Sequence, residues 1–188
     1  MIAILVTIMV LDLRPPAGVS LADLHPMFPK LLVYVLSFIY LGIYWVNHHH
    51  LMQVVERIDG RVLWANMLLL FCLSLTPMAT SWLGPHIGES GPTLVYALVL
   101  LACALAYWVL TLSLLALHAP DSPLAVALRD NRKERISVLL YVAAVALAMF
   151  APWLSIALPV VVALIWLIPD RRISHVIEAK PPEVDGTD

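Results

Sequence analysis

The sequence predicts an all-α, polytopic membrane protein with six transmembrane helices per subunit, the first of them truncated. Three observations lead there. Hydrophobic residues make up 62% of the 188-residue chain and charged residues only 13%, against roughly 45–50% apolar for an average soluble domain. Several apolar runs reach the roughly 20 residues a helix needs to cross a bilayer. The basic residues fall between those runs, in an order that assigns each connection to a side.

Residues 1–13 come first. They are apolar, yet at ~1.5 Å per residue they supply only about 20 Å of helix, short of a hydrocarbon core of roughly 30 Å. Residues 14–30 carry Pro15, Pro16, Pro26 and Pro29, which predicts an ordered or semi-rigid connection rather than a helix. Residues 31–52, 62–83 and 93–117 each meet the crossing length. Residues 119–135 have room for a short interfacial helix, with Leu124, Val126 and Leu128 turned to lipid or protein and a basic end against anionic headgroups. Residues 136–168 would make about 50 Å of helix, too long for one crossing and enough for two short ones, with Pro152 as the turn. One transmembrane domain therefore covers residues 1–175, and residues 176–188 form a polar, disordered cytoplasmic tail.

Charge sets the orientation. Arg57, Arg61, Arg129, Arg132, Lys133, Arg135, Arg171, Arg172 and Lys180 share one side if residues 136–168 cross twice, leaving Arg14 and Lys30 on the other. Short cytoplasmic loops are the Lys/Arg-rich ones, so the reading is a multi-pass protein of the cell membrane with both termini cytoplasmic. The formal net charge of −2 gives no electrostatic reason to expect a nucleic-acid partner. Cys72 and Cys103 sit inside apolar runs without metal-like spacing and read as small core residues. Residues 1–13 have neither a basic n-region nor a small-residue cleavage site, so they are not read as a signal peptide.

Three features stand out from the apolar background. Ile4, Thr7, Ile8 and Leu11 follow the i, i+3, i+4, i+7 rule and share one helix face. A stripe of branched aliphatics with one hydroxyl suits a narrow pore, where hydrophobic constrictions gate by dewetting. From the residues alone the favoured reading is packing in a bundle, with Thr7 bonding back to a carbonyl. The second feature is Trp45, Asn47, His48, His49 and His50 near the inner end of the second span, where polar groups at membrane depth suggest function. Consecutive histidines point about 100° apart on a helix, and the i, i+4 pair favoured for metal binding is absent. A metal or haem site would need further ligands, with His118 the nearest candidate; a polar network tying this helix to a neighbour is favoured, and no metal or cofactor is expected. The third is the Asp59–Gly60 turn signal followed by Asn66, which needs a hydrogen-bond partner within the membrane and is expected to dock one helix on another.

Absences narrow the function further. No Thr-Val-Gly-Tyr-Gly filter loop exists, so a carbonyl-lined potassium filter is excluded. Nor is there an Arg-rich voltage sensor, a nucleotide-binding loop or a membrane-embedded carboxylate pair.

The sequence resembles the bacterial members of the transmembrane protein 175 family, the lysosomal-type potassium channels, over nearly the whole chain. The resemblance rests on residues 4–13 followed by a Pro-containing loop, on Leu36-Ser37-Phe38, on Tyr44 and Trp45 through His50 and Leu51, on residues 59–66, and on Pro77. It implies six helices per repeat, a homotetramer, and four copies of the first helix around a central pore permeable to potassium in preference to sodium. By position it makes Ile4 the bottleneck, Thr7 the hydroxyl layer, and Ile8 and Leu11 the continuing wall, and so favours the pore reading of the stripe. One departure stands out. The family's Arg-x-x-x-Phe-Ser-Asp motif, whose Ser and Asp would pair with Trp45, Asn47 and one of the three histidines, falls upstream of Met1. The expectation is a start codon assigned too late, which would explain both the short first helix and the polar cluster's missing partner. A histidine-based metal or haem enzyme and a non-conducting accessory protein are the competing functions.

Overall fold

The computed structural model describes residues 2–16, 18–53, 55, 57–119, 122–128 and 131–167. Met1, Arg129, Arg171, Arg172, Lys180 and the expected tail 176–188 lie outside the described residues. Every regular element among the described residues is helical: α1 (Ile2–Leu11), a 3₁₀ helix (Leu21–Met27), α2 (Phe28–Gln53), α3 (Gly60–Ser74), α4 (Thr76–Leu83), a 3₁₀ turn (Gly84–His86), α5 (Ser90–Leu117), α6 (Pro123–Leu128), α7 (Arg132–Leu147) and α8 (Pro152–Leu167). Three continuous helical runs are long and apolar enough to cross a membrane, Leu21–Gln53, Gly60–His86 and Ser90–Leu117. Helices α1 and α8 are apolar but shorter.

Local chemistry explains the boundaries. Ser20 and Asp23 form a capping box that starts the 3₁₀ helix: the Ser20 N–H donates to Asp23 Oδ2 at 2.9 Å. This corrects the expectation that residues 14–30 avoid helix. Pro29 is tolerated because it falls in the first turn of α2, where a backbone N–H has no intrahelical partner anyway. Asp59 caps α3, accepting the Val62 N–H at 2.9 Å, so the Asp59–Gly60 turn signal also works as a helix start. The run 62–83 is not one straight helix. Pro77 cannot donate to the carbonyl four residues back, and the Leu75 N–H instead closes a tighter turn on the Cys72 carbonyl at 3.1 Å; α4 begins from there.

Helix α5 is the axis of the bundle and contacts α3, α4, α6, α7 and α8. Tyr96, Leu100, Cys103, Leu110 and Leu114 recur on it at spacings of four, three, seven and four residues, and all are at most 1% exposed. That spacing keeps one stripe of the helix pointed into its neighbours. Cys72 and Cys103 are free and buried, as expected of small core residues. Helices α7 and α8 form an antiparallel hairpin. Ser155 Oγ donates to the Ala144 carbonyl at 2.7 Å and Trp166 Nε1 donates to Ser137 Oγ at 2.8 Å, two pairings that only opposite chain directions allow. The turn lies where residues 136–168 were expected to fold back, and Pro152 opens α8, the helix position that needs no N–H. Leu124 of α6 is buried while Val126 is exposed.

The outside of the bundle is apolar: Leu63, Trp64, Met67 and Phe71 of α3 and Leu98, Val109 and Leu112 of α5 are all exposed. A contiguous surface of this kind fits a lipid solvent. Between the 3₁₀ turn and α5, Gly88 has φ +91° and lies so close to Trp153 that a Cβ would stand 3.0 Å from its ring. A side chain there meets both the left-handed backbone penalty of about 1–2 kcal/mol and the indole. Gly88→Ala should therefore lower the thermal transition of the detergent-solubilised protein by several degrees; an unchanged melting curve would show that this contact contributes nothing.

Candidate functional site

Helix α1 divides cleanly into two faces. Leu5 and Met9 are 5% and 4% exposed, and with the half-buried Ile2 and Val6 they pack into the core, where α1 meets α2 and α4. Ile4, Ile8 and Leu11 are 60%, 49% and 78% exposed, and Thr7 is exposed beside them. At about 100° per residue the two sets lie on opposite sides of the helix. The stripe picked from the sequence therefore faces away from its own subunit, and packing within the bundle belongs to the other side. Thr7 does make the local bond that the packing reading anticipated: its hydroxyl donates to the Ile4 carbonyl at 2.8 Å.

A groove of about 530 Å³ runs beside this face, lined by Ile8 and Leu11 of α1, Tyr34 of α2, and Pro77, Met78 and Ser81 around α4. Also lining it, Lys30 Nζ lies 3.1 Å from Asp12 Oδ2 and donates to the Asp12 backbone carbonyl at 2.5 Å. Burial raises the Asp12 carboxyl, but hydrogen bonds from Lys30 and Ser81 and the charges of Lys30 and Arg14 outweigh it, so the group sits below its ordinary value.

The polar cluster of α2 points in three directions. His48 Nε2 lies 2.8 Å from Asn66 Oδ1; a carboxamide oxygen only accepts, so this ring nitrogen carries the proton. The contact ties α2 to α3 and gives Asn66 the docking partner its position requires. Trp45 and His49, one turn apart, stack with ring centroids 5.5 Å apart on the exposed side, where the Gln53 amide meets His49 Nε2 at 3.1 Å. Asn47 donates to the Ile43 carbonyl at 2.8 Å and lines a small cavity of about 40 Å³ inside the bundle, together with Tyr44, Tyr107, Glu134 and Ser137. The ring of His50 is 6.2 Å from that of His49. Ten residues of α1 make about 15 Å of helix.

Among the described residues, no three His, Cys, Asp or Glu side chains come together as a metal site. The Nδ1 of His118 lies 2.8 Å from the Leu114 carbonyl, and its Nε2 faces the Arg57 N–H at 3.4 Å.

The sequence reading missed a buried hydroxyl chain. Ser37 Oγ lies 3.0 Å from Tyr96 OH and 2.8 Å from Thr80 Oγ1, linking α2, α5 and α4 in the core. Tyr40, one turn further along α2, donates its hydroxyl to the Pro159 carbonyl of α8. The only hint in the sequence is single hydroxyls set in apolar runs.

Residues 1–77 match the family model described as endosomal/lysosomal potassium channel TMEM175. A potassium channel of a Chryseobacterium species is 46% identical over 172 residues, covering 92% of this chain and 90% of that protein. A potassium channel of Streptomyces collinus is 34% identical over 113 residues, 56% of this chain and 55% of its own. The crystal structure of a lysosomal potassium-selective channel TMEM175 homolog from Chamaesiphon minutus superposes with a TM-score of 0.75 at 27% identity, over 88% of this chain and 90% of that one.

Proposed function

This chain belongs to the TMEM175 family of potassium channels, ion channels rather than enzymes, and from that premise we propose that it conducts potassium in preference to sodium along the outward face of α1. Four subunits meet around one axis, each contributing Ile4, Thr7, Ile8 and Leu11. The observation that carries this reading is the division of α1, with Leu5 and Met9 in the core and the stripe bare.

The chemistry of the stripe suits the task. Ile4 and Ile8 narrow and dry the path, since water leaves a hydrophobic constriction readily and an ion must shed part of its hydration to pass. Thr7 gives its hydroxyl hydrogen to the Ile4 carbonyl, which leaves the oxygen lone pairs directed at a passing cation. Four such oxygens replace part of a hydration shell. Potassium holds its water less tightly than sodium, so partial replacement favours potassium. No histidine or metal chemistry is needed; Trp45, Asn47, His48, His49 and His50 serve as polar contacts of α2 near the pore helix. The reading has six crossings with both termini in the cytoplasm; counting α1, the three long helical runs, α7 and α8 supports it, as do the basic residues of the inner connections.

The test is cation flux through the complete encoded protein in liposomes. Potassium efflux should exceed sodium efflux under equal gradients, and should scale with the amount of tetramer resolved by size. Leak no greater than that of empty liposomes would refute the reading.

A further inference from the structure

We infer that Asp12, held in place by Lys30, sets the supply of cations at the outer end of the pore, an inference that rests on the pore-wall reading of α1. Asp12 directly follows Leu11, the last residue of the stripe. At about 100° per residue it falls roughly 40° round from Ile8, on the flank of the pore face. Its carboxylate is fixed from α2 by Lys30 at 3.1 Å, with the Ser81 hydroxyl of α4 beside it. The two side chains stay 40% and 27% exposed, open to the groove that Ile8 and Leu11 also line. They are not sealed in the core, so their charge is felt in the water at the mouth.

The sum of charges there decides what that water holds. Arg14 and Lys30 are the cations of the outer segment, and Asp12 is the anion in contact with Lys30. With Asp12 ionised the pair cancels. Without it, Asp23 offsets only one of the two cations, each subunit gains one unit of positive charge beside the path, and a four-fold ring of such charges repels the ions the pore carries. Lys30 has a second task. Its Nζ also donates to the Asp12 carbonyl, one of the last carbonyls of α1, which have no partner within the helix. One side chain thus ties down the outer end of α1 and aims the carboxylate; Lys30 is the positioning residue and Asp12 the charge that acts.

Salt separates the electrostatic role from a structural one. The Debye length is about 30 Å in ~10 mM salt and about 3 Å in ~1 M. In planar bilayers with symmetric KCl, Asp12→Asn should reduce conductance at least ~3-fold at ~10 mM and leave it near wild type at ~1 M. Lys30→Gln keeps a donor for the Asp12 carbonyl but deletes the charge, and should raise low-salt conductance by roughly 2-fold with no effect at ~1 M. Combining the two should return the low-salt value toward wild type. Should Asp12→Asn fail to assemble, Lys30→Gln alone still decides. Changes of equal size at both salt concentrations, or none at either, would overturn the inference. Ile4→Asn in the same bilayers isolates the parent reading. If it alters selectivity while Asp12→Asn shows no salt dependence, only this inference fails; if wild type carries no potassium current, both fail.

Discussion

Ile4→Asn is expected to raise total cation conductance on the order of tenfold and to collapse the preference for potassium over sodium, because about 1.4 kcal/mol off a barrier is tenfold in rate. The direction follows from the geometry. Ile4 is 60% exposed and faces away from its own subunit, so the amide disturbs no packing in the bundle. What changes is the wettability of the constriction: a branched alkyl group that repels water is replaced by a group of similar reach that hydrogen-bonds it. A wetted path passes hydrated ions, and hydrated sodium and potassium differ little in size. Reversal potentials under mixed potassium and sodium gradients measure the effect directly. Unchanged conductance and selectivity would refute the assignment of Ile4 as the bottleneck. Leu5→Asn, on the buried face, is the matching control and should reduce the yield of folded protein instead.

Ser37→Val is the substitution expected to damage the fold most. Ser37 is fully buried and stands between the hydroxyls of Tyr96 and Thr80. Valine deprives the Tyr96 hydroxyl of its partner, costing about 1–3 kcal/mol, and adds bulk to a filled site, costing typically another 1–3 kcal/mol. Thr80 suffers less, because its hydroxyl also reaches the Thr76 carbonyl at 2.8 Å. The expected result is a melting transition lowered by many degrees and poor recovery of folded protein after heating. Ser37→Ala should cost less, and adding Tyr96→Phe to it should cost less than the two changes separately, since the orphaned hydroxyl is then gone. Strict additivity in that cycle would mean the two hydroxyls do not interact.

How much of this was legible in the sequence depends on whether the deciding contact is local. The Asp59–Gly60 signal gave the start of α3 because capping is a matter of three residues. The fold-back at Pro152 was legible for the same reason, and so was the divergence of His48, His49 and His50, which helix geometry alone dictates. The Ser20–Asp23 capping box has the same local form, Ser-x-x-Asp, but it stands among four prolines, which argue against helix. The two faces of α1 were not separable in this way. Ile4, Thr7, Ile8 and Leu11 obey the helical spacing rule, yet Ile2, Leu5, Val6 and Met9 have the same i, i+3, i+4, i+7 spacing and are just as apolar. A helix that is hydrophobic all round holds no preference of its own, and only the neighbours α2 and α4 decide which side is buried. The Ser37, Thr80 and Tyr96 chain joins residues up to 59 positions apart, and no periodicity along one helix can announce such a partner.

Helix α1 is attached to its subunit far more lightly than α5 is. Two of its residues are buried, Leu5 and Met9, against twelve of α5. Beyond its last turn, Asp12 is held by Lys30 and Ser81. The subunit therefore resembles a stiff frame carrying a compliant panel. Thermal motion and lateral pressure from the bilayer deform the panel long before they deform the frame. In the proposed assembly the panel is the part that ions meet, so the width of the path responds to forces that leave the rest of the subunit unchanged.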